Sequence, residues 1–267
     1  MTIAENAADP IAAEAVPRPG YPRPDRDRSA RWLSLNGPWR FAADDGAPES
    51  ITVPFAWETA ASGVHRTWLE HGVYARTVTV PAEWAGHRVV LCFGAVHHRA
   101  VVSIDGTRVG SHVGGHSSFE FDVTDVLAPG RSGELTVEVE APADKREIPH
   151  GKQRSIPRDD YDGVSFTPTS GIWQSVWLEA RGRTYAAEVS VRGDSLTGFD
   201  IAGELAGDAP DTAVVVATLE GRETVLPVRD GRFSGRLEVP SPRLWSPESP
   251  HLYAIALRVG EGTTPTG

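Results

Sequence analysis

From Trp32 onward, apolar and polar residues alternate in short runs separated by turn residues, which is the two-residue period of half-buried strands. Glu134 to Glu140 is the clearest case: Leu135, Val137 and Val139 share one face and Glu134, Thr136, Glu138 and Glu140 the other. The same reading predicts strands at Val73 to Val80, His87 to Phe93, His98 to Asp105, Thr107 to Val113 and Ser118 to Val123. Trp39 with Phe41, and Ile51 with Val53, mark two shorter ones. Asp105-Gly106 supplies the left-handed residue pair of a tight hairpin. No segment keeps a 3.6-residue period for the ~10 residues a helix needs. The chain reads as all-β.

Two strand series are visible. The first closes on Ile172 to Glu179, and Ala180 to Tyr185 is short, basic and patternless, which suits a linker. A second series follows at Glu188 to Arg192, Phe199 to Leu205, Ala213 to Leu219, Thr224 to Val228, Arg232 to Val239 and Leu252 to Val259. Its spacing predicts a compact sandwich of ~80–100 residues. The expected organisation is a disordered or draped arm over residues 1–28, a jelly-roll β-sandwich over 29–182, and an immunoglobulin-like β-sandwich over 183–267. Pro17-Arg18-Pro19-Gly20-Tyr21-Pro22-Arg23-Pro24 favours extended backbone in the arm.

Composition narrows the function classes. A length of 267 residues allows one large or two ordinary domains, and a formal net charge of −10 repels phosphate backbones, which argues against nucleic acid. An uncharged sugar is indifferent to that charge. The single cysteine, Cys92, stands in the apolar run Val89 to Phe93 and reads as a buried core residue. No apolar run approaches the ~20 residues of a membrane span, and no signal peptide is visible at Met1 to Asn6, so a cytoplasmic location is expected.

Several segments, in order, resemble glycoside hydrolase family 2, the family of β-galactosidases, β-glucuronidases and β-mannosidases. Leu35-Asn36-Gly37-Pro38-Trp39-Arg40-Phe41 resembles the opening strand of its N-terminal sugar-binding jelly roll, and Ile51-Thr52-Val53-Pro54-Phe55-Ala56-Trp57-Glu58 the entry to a substrate-side loop. Ile104-Asp105-Gly106, Val109 to His112, Gly114-Gly115-His116 and Phe119 to Leu127 resemble its hairpin and following strand. Ser170-Gly171-Ile172-Trp173-Gln174-Ser175-Val176-Trp177-Leu178 resembles the closing strand, and Leu244-Trp245-Ser246-Pro247-Glu248-Ser249-Pro250-His251-Leu252-Tyr253 a segment late in the immunoglobulin-like domain.

The resemblance implies a retaining glycosidase whose two glutamates sit on a (β/α)8 barrel, ~5–5.5 Å apart. The acid/base glutamate usually follows an asparagine. Here the only asparagines, Asn6 and Asn36, precede no glutamate, and strands do not alternate with helices as a barrel requires. This sequence therefore reads as the non-catalytic front of such an enzyme, with the barrel as its missing partner, inactive alone and needing no cofactor. Alternative readings are a free-standing carbohydrate-binding module, or an interaction module built on the immunoglobulin-like half.

Candidate site residues follow from loops. Trp57 and Trp68 bracket residues 58–71 and are candidates for a ligand face, whereas Trp39, Trp173, Trp177 and Trp245 read as core. The long loop from Gly151 to Thr169 carries Asp159-Asp160-Tyr161-Asp162. In the family this loop reaches toward the barrel, and some members place a sugar-contacting carboxylate at the position of Ser165. Asp160 or Asp162 replaces it only if the loop is rearranged; a solvated acidic loop is the plainer reading. Some members also carry arginine where Pro168 stands. His97-His98, and His112 with His116 across Gly114-Gly115, lack the convergent spacing of a metal site, so no metal is expected. Sugar binding should be weak, as one wall of a larger pocket. The residues after Val259 cannot make an apolar strand, so the second sandwich is expected to lack its last strand and to invite self-association along the open edge.

Overall fold

A computed structural model of the chain describes residues 16–44, 46–158, 165–194, 197–208 and 210–261. The chain divides into two compact units, one holding Val89–Ala180 with the residues before Gly86, the other Arg181 onward with Gly86–Arg88. Among the described residues the regular structure is strand, with only three-residue 3-10 turns besides.

The first unit contains β1 (Trp32–Ser34), β2 (Gly37–Ala43), β3 (Glu49–Val53), β4 (His71–Thr79), β5 (Arg88–Phe93), β6 (Val96–His97), β7 (Arg99–Ile104), β8 (Thr107–Val113), β9 (Phe119–Asp122), β10 (Ser132–Glu140), β11 (Gly171–Ile172) and β12 (Val176–Arg181). Six strands form one sheet in the order β3-β2-β4-β10-β7-β8, four form the other in the order β1-β12-β5-β9, and β11 pairs with β6. This is a jelly-roll sandwich, and its order follows from the burial pattern. Strand β10 lies between β4 and β7 and sends Leu135, Val137 and Val139 into the core while its glutamates stay in water. The turn joining β7 to β8 places Asp105 and Gly106 at φ 48° and 76°, the left-handed pair expected of a tight hairpin. Strand β5 is buried over Val89 to Phe93, Cys92 included.

The arm from Val16 is fastened to this sandwich. Asn36 Nδ2 donates to Pro17 O at 3.0 Å and to Ser175 Oγ at 3.0 Å, while Asn36 Oδ1 accepts the Val176 N–H at 3.1 Å. The Tyr21 hydroxyl donates to the buried Glu179 carboxylate at 2.6 Å, which also accepts the Trp177 indole N–H at 2.7 Å. Tyr21 meets Trp32 and Trp177 edge-on, at 5.4 and 6.5 Å between ring centres. Burial of the hydroxyl and its bond to Glu179 raise the Tyr21 pKa.

The second unit is the immunoglobulin-like sandwich, with β13 (Thr184–Gly193), β14 (Gly198–Gly207), β15 (Ala213–Leu219), β16 (Arg222–Leu226), β17 (Val228–Arg229), β18 (Arg232–Glu238) and β19 (Ile255–Glu261). Its sheets run β13-β14-β18-β17 and β16-β15-β19 around Ile201, Val215, Leu226, Phe233 and Leu237. Strands reach further than the alternation suggested: β12 ends at Arg181 and β13 begins at Thr184, so only Gly182 and Arg183 stand where a six-residue linker was expected. Arg181 is buried at the end of β12, Gly182 and Arg183 are exposed, and Thr184 and Tyr185 are half-buried at the start of β13. Among the described residues β19 is the outer strand of its sheet; residues 262–267, which bear on the expected missing strand, lie outside them.

Candidate functional site

Loops at the β3–β4 and β10–β11 connections carry the candidate residues. The structure corrects the reading of Trp57. Its side chain is fully buried, tilted against Phe41 at 5.7 Å, and its indole N–H donates to the Tyr74 hydroxyl. That hydroxyl also accepts the Ile172 N–H at 3.1 Å. An indole with its one donor satisfied inside the sandwich gains more from packing than from exposure to a ligand. Trp57 is therefore a core residue and forms no platform with Trp68. Trp68 is half-buried on a left-handed backbone at φ 63°.

The segment between them is folded onto its own base. The Arg66 N–H donates to Trp57 O at 2.9 Å, Ser62 Oγ accepts the N–H groups of Val64 and His65, and Arg66 pairs with Glu49. Ser165 is half-buried. Asp160 and Asp162 lie outside the described residues. Pro168 is buried. Trp39 and Trp177 are core, as read, but Trp245 is 60% exposed and stands just before a turn closed by Ser246 and Ser249, apart from both sheets. Its reading as core rested on its place in a family-like segment, and such a place does not fix burial.

Both stems of the long loop are clamped. The Arg154 N–H donates to Phe166 O and the Phe166 N–H to Lys152 O, at 2.9 and 2.8 Å, and Gln153 Oε1 accepts the Thr169 N–H at 2.9 Å. The buried Glu58 carboxylate accepts the Ser170 N–H at 3.0 Å. Burial pushes its pKa up, against the pull of the Ser170 hydrogen bonds and of Lys145. Lys145, 1% exposed, donates from Nζ to Pro142 O at 3.0 Å and to His97 Nε2 at 3.2 Å, while its own N–H holds Ser155 O at 2.7 Å. Burial lowers the Lys145 pKa and, with the neighbouring ammonium, drives that of His97 down to about 3. His97 is thus neutral, accepting at Nε2.

Sequence reasoning did not assemble this Glu58–Lys145–His97 group: Glu58 ended a motif, His97 was weighed only as a metal ligand, and Lys145 was not singled out. The group anchors the base of the long loop, and His97 Nδ1 is left buried without a hydrogen-bond partner among the described residues. Of the other histidines, His112 is bonded to Gly114 O and Ser117 Oγ at 3.2 Å each, and the His116 ring lies 5.8 Å from Trp173. Among the described residues no three His, Cys, Asp or Glu side chains converge as metal ligands. No helix among them is long and apolar enough to cross a membrane.

Comparison with known proteins decides the family. The model described as "Glycosyl hydrolases family 2, sugar binding domain" matches residues 59–181, and "Glycosyl hydrolases family 2" matches 175–266. The chain belongs to glycoside hydrolase family 2. It is 27% identical to a β-glucuronidase of Paenibacillus borealis over 83% of this chain and 41% of that protein. A β-galactosidase of Priestia megaterium is 27% identical over 87% of this chain and 27% of its own length. Among solved structures, a β-glucuronidase from an uncultured Clostridium sp. superimposes with a TM-score of 0.64 at 26% identity, over 88% of this chain and 44% of that one. The chain thus spans less than half the length of these relatives.

Proposed function

We propose that this chain is the non-catalytic N-terminal part of a family 2 glycoside hydrolase that cleaves O-glycosyl bonds in β-glucuronides or β-galactosides, and that it supports a barrel and lends loops to its substrate pocket. The observation that carries the reading is the pair of family-2 domains in consecutive order over residues 59–266, within a chain covering 41% of a β-glucuronidase relative. Stems fixed by Glu58, Gln153 and Lys145 suit a loop that must present groups to a neighbouring pocket without rearranging. Exposed Ile156 and Phe166 beside those stems, and exposed Leu244, Trp245 and Leu252 in the second unit, are apolar surface of the kind a further domain would cover.

The test is to assay the purified chain on nitrophenyl β-glucuronide and β-galactoside. No hydrolysis above the buffer rate is expected, because general acid and nucleophile both require a glutamate pair. Turnover that survives repurification would overturn the reading. The genomic reading frame gives the second arm: strands alternating with helices and bearing paired glutamates support it, and a frame ending without them overturns it.

A further inference from the structure

Where the chain leaves β10, Ala141, Ala143 and Lys145 take successive buried positions. The first two are small and apolar, and the third is an ammonium. An apolar side chain of the same length would serve stability there as well or better, because an ammonium must be stripped of water and then paired. The partners Lys145 has found are unusual. Its Nζ donates to Pro142 O at 3.0 Å and to His97 Nε2 at 3.2 Å, and its backbone N–H donates to Ser155 O at 2.7 Å. One residue thus ties both ends of the segment 142–155 to β6.

An ammonium only donates, so Nε2 is the acceptor and the neutral His97 ring carries its proton on Nδ1. That Nδ1 is buried and has no hydrogen-bond partner among the described residues. Gly115 lies against it: a Cβ on that glycine would stand 2.1 Å from Nδ1, so backbone seals this side of the ring. The groups facing His97 are Lys145, His98 and His116, the two other rings centred 5.3 and 6.0 Å away. Each is a cation or becomes one on protonation. Strand β11, which pairs with β6, brings only Gly171 and Ile172, and Glu58 faces Lys145. A second proton on His97 therefore meets no acceptor. At Nε2 it points at the ammonium, and the pair relieves the clash only by parting.

We propose that Lys145 and His97 form a proton-operated latch on residues 142–155: it is closed while His97 is neutral, and it opens when His97 takes up a proton and drives the Lys145 ammonium from its seat. The use of the latch, to free the stem of a loop held at a substrate pocket, rests on the proposed function; the latch itself belongs to the first unit alone. Burial and the Lys145 charge hold the His97 pKa at about 3 in the closed form, and opening into water returns it toward about 6.5. The open form then binds more protons across that range, so opening becomes easier as pH falls from 6.5 toward 3. His98, whose pKa burial also lowers, acts in the same direction. Glu58 acts against both, because burial raises its pKa and its closed form is the first to be protonated.

Hydrogen exchange of the full chain from about pH 4 to 7, corrected for the intrinsic pH dependence of exchange, tests the latch. The amides of Lys145 and Arg154, bonded to Ser155 O and Phe166 O, should open more often than those of Leu135 and Val137 in β10. Through His97 their opening constant should rise by up to about tenfold per unit of falling pH. His97→Gln, whose carboxamide still accepts from Lys145, should remove that increment. Glu58→Gln, which still accepts the Ser170 N–H, should steepen the rise, and circular dichroism at neutral pH checks the fold of both variants. Three outcomes would overturn the proposal: an opening constant that does not change with pH, a pH dependence that His97→Gln leaves intact, or segment amides that open only together with β10. Each is read on this chain without any glycoside, so failure of the latch and failure of the proposed function are told apart.

Discussion

Replacing Tyr74 with Phe removes a single oxygen and strands two buried donors. Tyr74 is fully buried, and its hydroxyl is the acceptor for both the Trp57 indole N–H and the Ile172 N–H. Phe41 packs against both rings, at 4.9 Å from Tyr74 and 5.7 Å from Trp57, and Trp39 meets Tyr74 edge-on at 6.3 Å, so there is no room for water to replace the oxygen. An unmade buried hydrogen bond costs about 1–3 kcal/mol per donor, so two donors cost roughly 2–5 kcal/mol. For a domain of this size that lowers the melting temperature of the first unit by roughly 5–15 °C. A double-mutant cycle sharpens the test. In a Trp57→Phe background only the Ile172 N–H is stranded by Tyr74→Phe, so the second substitution should cost about 1–2 kcal/mol less than it does alone. Denaturant unfolding followed by near-ultraviolet circular dichroism reads all four corners. Equal cost in both backgrounds would refute the shared-acceptor reasoning, and a small cost in each would mean that the donors find other partners.

Gly171→Ala should cost roughly 2–5 kcal/mol: its φ of 81° is left-handed, and an added Cβ would stand 2.3 Å from both Trp57 Nε1 and Tyr74 Oη; thermal melting measures it. His97 makes the first unit acid-sensitive. Its pKa of about 3 in the fold lies below the ordinary value of about 6.5, so its contribution is complete above pH 6.5 and is lost as pH falls toward 3. In that window His97→Gln should flatten the stability profile by up to about 1.4 kcal/mol per pH unit, and an unchanged slope would count against it. In hydrogen exchange, amides of β14, β15 and β18 should exchange faster as a group than those of β4, β7 and β10, because the second sandwich has the smaller core and β13 is exposed over its C-terminal half. Equal protection would contradict this.

The fold was legible because strand alternation is a local signal. In β10 each inward residue sits between two outward ones, and the Asp105-Gly106 turn fixes its hairpin by backbone geometry alone. Where alternation gives out, the reading blurs. Residues 180–185 read as a linker because their charged and polar residues break the alternation, although Arg181 is buried at the end of β12 and Thr184 and Tyr185 begin β13; Trp245 read as core from its place in a family-like segment, which does not fix burial.

The site was far less legible, and Trp57 shows why. A tryptophan beside a long loop has equal claim to a ligand face or a core, and only the position of a hydroxyl 17 residues away, on Tyr74, decides between them. The Glu58–Lys145–His97 group is hidden for the same reason. Its members come from two connections and strand β6, and glutamate and lysine are ordinarily exposed. Burial of all three becomes tolerable only when the Ser170 N–H, Pro142 O and the imidazole converge on them, a property of tertiary closure. Chemistry in this chain therefore resides where loops and arm are held against the sandwich, at positions whose partners lie far apart in sequence. Local pattern reports the scaffold well, and it reports such positions only as polar residues that the alternation does not explain.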